Sequence, residues 1–282
     1  FTLTITQADQ IAYSAGSISL ATPSLGTFAI SSRSGGTGIG GHDDKMPTAW
    51  EETWGTSLGT GINLPKGVSS SMNIGWTSPT FMGSTLKLAV APGSNDGTFN
   101  NDKAVSGAAN SSLNGGYDIL LDINPSFGTD LLAGLNVWVG GSRTDQNIEA
   151  GLSKANTGDH EEGTAGATFA YGPVTVGYQR SIELTGLDGA SQVQYYQNNA
   201  FGVAFNINDD LSISYGEMES LRHTTNAAAA NRNIMTVDSL QLAYSMGGMS
   251  IKIAESNVDN ATYATGSASD FEATTVALTL AF

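Results

Sequence analysis

Phe271-Glu-Ala-Thr-Thr-Val-Ala-Leu-Thr-Leu-Ala-Phe282 ends the chain. Val276, Leu278, Leu280 and Phe282 share one parity; Thr275, Ala277, Thr279 and Ala281 share the other. Successive side chains of a strand point to opposite faces, so the segment reads as a strand with one apolar face and one small, polar face. In a soluble sandwich the apolar face packs on a second sheet. In a strand that crosses a bilayer it meets lipid, and the terminal aromatic sits at the interface. One strand does not separate these readings, and the rest of the chain has to.

The same alternation recurs throughout. Ile18 and Leu20 lead through Pro23–Gly26 to Phe28 and Ile30; Met72, Ile74 and Trp76 lead through Pro79–Gly83 to Leu86, Leu88 and Val90. Tyr117 to Ile123 precedes Asn124-Pro125 and then Leu135, Val137 and Val139, while Phe169 and Tyr171 meet Val174, Val176 and Tyr178 across Gly172-Pro173. Phe201 to Ile207 turns at Asn208–Asp210 into Leu211, Ile213 and Tyr215, and Leu240 to Tyr244 turns at Gly247-Gly248 into Ile251 and Ile253. Each pair reads as a hairpin with turn chemistry between its arms. Polar stretches rich in Gly, Asn and Ser separate the hairpins, at 34–67, 92–114, 143–162, 184–192, 221–234 and 258–270. Lacking apolar periodicity, they read as loops. Short and long connections thus alternate, which predicts an all-β, antiparallel, up-and-down transmembrane barrel with turns at one rim and loops at the other. The expectation is a single domain over residues 1–282.

Composition agrees. No stretch approaches the roughly 20 apolar residues of a spanning helix, and 40% hydrophobic residues with 35 glycines suit strands that are apolar at every second position. Cysteine is absent, and a wall closed by its own hydrogen-bond ladder gains little from disulfides. A net charge of -15 argues against a nucleic-acid partner. The opening Phe1-Thr-Leu-Thr-Ile-Thr6 is already strand-like, so a processed chain, or one whose natural start lies upstream, is expected.

The last strand resembles the closing strand of bacterial outer-membrane β-barrels, and the whole arrangement is similar to the general diffusion porins of Gram-negative outer membranes. Those are trimeric barrels of sixteen strands whose long third external loop folds into the pore after the fifth strand. Counting from Phe1 gives roughly fourteen strands, with the longest loop, 34–67, after the third. The resemblance implies either that two N-terminal strands lie outside this sequence, the preferred reading, or that this is a complete fourteen-stranded barrel of another family. It further implies a homotrimer in outer-membrane lipid and lipopolysaccharide, passing ions and small hydrophilic solutes, without a cofactor.

If apolar parity faces lipid, the opposite parity lines a lumen. That set is Ser17, Ser19, Asn73, Lys87, Asp118, Asp122, Asn136, Trp138, Thr175, Gln179, Ser212, Ser214, Gln241 and Lys252 with their neighbours. It is too polar for a packed core and predicts a water-filled channel. The long loop carries two acidic pairs, Asp43/Asp44 and Glu51/Glu52, flanked by Trp50 and Trp54. Folded inward, they would face Arg33, Lys87 and Lys252 on the lumen parity of the wall. Opposed charges across a narrow opening create a transverse field that sorts solutes by charge and dipole; the competing reading is solvated loop charge. Arg180 shares parity with Val176 and Tyr178, and at the lipid midplane it would cost roughly 2–4 kcal/mol. A place near the outer rim, beside a bulge or against another subunit is therefore expected. Met235 and Val237 are out of phase with Leu240 and Leu242, which predicts a bulge near Asp238.

Acidic groups in the loops, Asp43/Asp44, Asp96/Asp102 and Asp159/Glu161/Glu162, are weak Ca²⁺ candidates. His42, His160 and His223 all fall in segments read as loops, without paired ligand spacing, which argues against zinc. With no strand histidine and no cysteine, a nucleophile–base pair on rigid strands is not expected, and the protein reads as no enzyme. The alternatives are a secreted soluble β-sandwich or lectin-like adhesin, and a barrel-type substrate-specific channel, for which Trp138 offers a single lumen aromatic.

Overall fold

The computed structural model describes residues 2–6, 15–32, 38–55, 58–68, 72–92, 113–125, 132–146, 158–187, 191–225 and 231–280. They form β1 (Thr2–Thr6), β2 (Ala15–Thr22), β3 (Gly26–Ser32), β4 (Asn73–Thr77), β5 (Ser84–Ala91), β6 (Leu113–Ile123) and β7 (Leu135–Gln146). Then follow β8 (His160–Tyr171), β9 (Val174–Leu184), β10 (Val193–Asn206), β11 (Leu211–Thr224), β12 (Asn231–Met246), β13 (Met249–Asp259) and β14 (Phe271–Leu280). Every strand pairs antiparallel with its chain neighbours in one fourteen-stranded sheet, in the order β1 to β14. This is the up-and-down wall of a β-barrel.

Turn chemistry sets one rim. Tyr171 pairs with Val174 and Met246 with Met249, leaving Gly172-Pro173 and Gly247-Gly248 as two-residue turns. Gly172 and Gly247 have φ of +56° and +58°, the conformation a mirror-image turn needs to match the twist of its strands. Between β10 and β11, Asn208 Oδ1 accepts the N–H groups of Asp210 and Leu211 at 2.9 and 3.0 Å, an Asx turn.

Along β9 the burial pattern alternates from Gly177 to Leu184 without a break. Outward-facing Ile18, Leu20, Ile30, Ile74, Val90, Ile119, Val139, Leu240, Val276 and Leu278 are 48–64% exposed. Among the described residues no second sheet covers them, which is the opposite of a sandwich. So large an exposed aliphatic surface has no counterpart on a monomer in water.

Two expectations fail and a third narrows. β12 has no bulge at Asp238: its register with β11 and β13 is unshifted. Met235, Val237, Ser239 and Gln241 share one inward parity, each at most 1% exposed, so the strand is regular and its loop-side half turns apolar residues inward. Of the places expected for Arg180, the one beside a bulge drops out, since β9 pairs in unbroken register with β8 and β10. The residue points outward and is exposed in the loop-side half of β9. Finally, the loops read at 143–162 and 221–234 are too long, because β7 continues to Gln146, β8 begins at His160 and β11 continues to Thr224. His160 and His223 are therefore strand residues.

Candidate functional site

Between β3 and β4, the described residues 38–55 and 58–68 lie inside the barrel as an outward and a return limb along the wall. On the outward limb the backbone of His42 accepts from Gln179 Nε2 at 2.7 Å, and Lys45 N–H donates to Gln179 Oε1 at 2.9 Å. Ala49 N–H donates to Ser214 Oγ at 2.8 Å, and the N–H groups of Trp50 and Glu51 donate to Gln241 Oε1 at 3.1 and 3.2 Å. Gln241 Nε2 donates back to Glu51 O at 2.9 Å. On the return limb Thr262 N–H donates to Thr60 O at 2.7 Å, and Asn198 Nδ2 to Asn63 O at 2.9 Å. Lys66 and Gly67 donate their N–H groups to Glu162 at 3.0 and 2.6 Å, and Val68 donates to Asp118 at 3.0 Å. Side-chain amides suit this work because each supplies a donor and an acceptor to backbone that has left water.

The wall leaves room for the loop through a row of inward glycines. Gly177 pairs with Gly202 and Gly202 with Gly216, and the row continues as Ser239, Ser256 and Ala273. A Cβ on Gly177 would come 2.8 Å from Pro47 Cδ, and one on Gly202 would come 3.0 Å from both Met46 Cβ and Pro47 Cδ. At Gly216 it would collide with the Thr53 hydroxyl. Glycine within a strand marks a close approach of another backbone, and here it forms a trough for Met46–Thr53. At the neck of the loop, Gly38 and Gly67 both take positive φ, and a Cβ on either would collide with the Asp118 carboxyl.

The lumen is not uniformly polar, contrary to the expectation from parity. Ile39, Met46 and Leu64 of the loop pack with Leu120, Trp138, Ala200 and Met218 of the wall, with Trp54 and Ile62 at the margin. Trp54 and Leu58 cover a second cluster of Val237, Val258 and Ala261. Val237 is therefore apolar because it faces the loop, not water, and Met235 is fully buried on the same inward face. Among the described residues, recesses with charged and polar linings lie towards the turn rim. One of about 600 Å³ is lined by His42, Lys45, Asp122, Asn124 and Asn136, the other of about 640 Å³ by Asp209, Asp210 and Lys252.

No protein-family model matches this chain, and no curated protein matches it. Solved structures do. The chain superposes on Salmonella typhi OmpF in complex with daunomycin with a TM-score of 0.56 at 10% identity, covering 98% of this chain and 94% of that one. Against outer-membrane expressed OmpT of Vibrio cholerae the TM-score is 0.55 at 13% identity, covering 88% and 70%. Against the anion-selective porin from Comamonas acidovorans it is 0.52 at 12% identity, covering 87% and 67%. The fold is that of the outer-membrane porins. At such identities the likeness is one of fold alone.

Within this porin fold the charged residues singled out in the sequence take different places. Asp44 is held between Trp54 Nε1 at 3.0 Å and Met46 N–H at 2.9 Å. Burial pushes its carboxyl up to about 6 and raises that of Asp43, outweighing the backbone hydrogen bonds that favour the charged forms. Glu51 lies with its backbone against Gln241 of β12, and Glu52 is exposed. Lys87 is paired with a wall carboxylate, not a loop one: its Nζ is 2.6 Å from Asp122 Oδ2, while His42 Nε2 is 2.7 Å from Asp122 Oδ1. Lys252 faces inward in the second recess. Val276, Leu278 and Leu280 face outward and are exposed. Arg33, Phe282, Asp96 and Asp102 lie outside the described residues.

The group Asp159/Glu161/Glu162 is not one cluster. Arg143 pairs with Asp159 and lies 3.5 Å from Glu161, whereas Glu162 points inward to the loop. Sequence reasoning also missed Asp118, Gln179 and Gln241 as loop anchors, although all three have lumen parity. The available signal was glycine at lumen parity in the middle of otherwise regular strands.

Proposed function

We propose that this protein is an outer-membrane porin, a non-enzymatic channel for passive diffusion of ions and small hydrophilic solutes. One observation carries the reading. Loop 38–68 is laid against the inner wall from β6 to β13, while Ser17, Ser19, Ala29, Thr275 and Ala277, on the inner faces of β2, β3 and β14, are small and only half-buried. Water passing between loop and wall meets a polar lining there, and lipid meets the exposed aliphatics outside. The four loop carboxylates, Asp43, Asp44, Glu51 and Glu52, with Lys87 and Lys252 as wall cations, set the field in the opening; Arg33, expected beside them, lies outside the described residues. A net charge of -15 favours cations at its mouths. The active form is a homotrimer in the bacterial outer membrane, in contact with its lipid and lipopolysaccharide.

The full chain, purified in detergent and added to planar bilayers, is expected to give stepwise conductance with a cation-favouring reversal potential. Folded protein that never conducts overturns the channel. A monomeric mass in mild detergent overturns the trimer alone. Asp43→Asn, Asp44→Asn, Glu51→Gln and Glu52→Gln together are expected to lower cation preference, and unchanged selectivity would place the loop charges away from the ion path.

A further inference from the structure

We infer that His160, Glu162 and Glu183 form a divalent-metal site of the zinc type, built into the wall behind the return limb of the loop. His160 and Glu162 are two residues apart on β8 and share its inward face, and Glu183 on β9 is the direct cross-strand partner of Glu162. Their side chains each offer a ligand atom, all within 4.8 Å of one another. The residues are 7, 9 and 2% exposed.

Three features separate this group from the acidic pairs elsewhere in the chain. It mixes imidazole with carboxylate, the donor set that suits Zn²⁺ among the common divalent ions. It places two carboxylates directly opposite each other on neighbouring strands, an arrangement that destabilises a sheet unless something positive lies between them. And it does so in a buried place. Among the described residues the only ion pair that either glutamate makes is Glu183 with His160, Oε1 to Nε2 at 3.0 Å. One imidazole carries at most one positive charge against two carboxylates, whereas a divalent ion matches both.

The geometry accommodates the ion. With metal–ligand bonds of about 2.0–2.2 Å, tetrahedral ligand atoms stand roughly 3.3 Å apart. The His160–Glu183 separation of 3.0 Å is already close to that edge. Small side-chain rotations bring in the third ligand, and water completes the shell. The outer partners are in place as well. Asn63 Nδ2 donates to Glu183 Oε2, and the N–H groups of Lys66 and Gly67 donate to Glu162. Such contacts orient ligating carboxylates, and all three come from the return limb. The ion would therefore pin loop 38–68 to β8 and β9.

The test does not depend on conduction. The full chain is refolded in detergent micelles with EDTA, exchanged into chelator-free buffer, and titrated with ZnCl2 by calorimetry. One Zn²⁺ per chain is expected. Affinity should fall at least roughly 10- to 100-fold in His160→Gln and in Glu183→Gln, and stay unchanged in His223→Gln. If Glu183→Gln loses its strand signal in circular dichroism, His160→Gln decides alone. Co²⁺ in place of Zn²⁺ should give the visible absorption of a four-coordinate N/O site in the parent and lose it in His160→Gln. No stoichiometric binding, or binding that neither substitution weakens, overturns the site.

Discussion

Filling the glycine trough should lift the loop from its wall, and the cost can be worked from the contacts. In Gly177→Ala/Gly202→Ala the new methyl groups meet Pro47 Cδ at 2.8 and 3.0 Å, where an ordinary contact needs at least 3.4 Å. Pro47 is trapped, because Lys45 and Ala49 on either side donate to Gln179 and Ser214 on the same wall. Overpacking costs about 1–3 kcal/mol per site, hence about 2–6 kcal/mol for both. The N–H groups of Lys45, Ala49, Trp50 and Glu51 hold the limb with about 1 kcal/mol each. The two sums are comparable, so the seated and lifted states should both be populated. The chain has no cysteine, so Thr53→Cys gives a single reporter at a position that is 3% exposed in the trough. Even the lower cost of about 2 kcal/mol should speed its reaction with a small methanethiosulfonate roughly 30-fold. Gly163→Ala is the control, since its methyl group meets only ordinary contacts at 3.5 Å and beyond. Equal reaction rates in parent and double variant, with the barrel intact by circular dichroism, would refute the trough.

Two further outcomes are expected. Because burial raises Asp44 to about 6, the seated loop prefers its protonated form; that contribution is fully present below the ordinary 3.8 and lost as pH rises through about 6. The lumen gains negative charge as Asp44 ionises around that raised value of about 6, so reversal potentials should show cation preference growing between about pH 5 and pH 7. The step should vanish in Asp44→Asn, and a flat profile in the parent counts against a buried, pore-facing Asp44. Asp118→Asn exchanges one of the two oxygens that accept from Val68 at the neck of the loop for an amide donor, at about 0.5–1.5 kcal/mol. Its channels should show open-state current noise that the parent lacks; an equally quiet variant would mean that the neck is held by other contacts.

The two faces of the wall were not equally legible in the sequence. Lipid imposes one rule on every second residue, so Val276, Leu278 and Leu280 could be assigned outward from alternation alone. Nothing so uniform governs the inside. A lumen residue answers to water or to the loop, and the path of a loop leaves no periodicity. Val237 seemed out of phase for that reason: water was expected where Trp54 and Leu58 lie near. Yet part of the interior was encoded in hairpin register. Gly202 and Gly216 are equidistant from Asp209, at the centre of their turn, and pair across it. Glu162 and Glu183 are likewise equidistant from Gly172-Pro173 and pair directly. Counting outward from that turn brings the two carboxylates together, with His160 one step further on the same face. The obstacle was the polar, charged run Asp159–Glu162, which lacks any apolar alternation because its inward positions are filled by ligand-type residues. Where a strand carries its polar chemistry on the buried face, hydrophobic pattern fails as a detector of strands, and turn-centred register is the measure that still works.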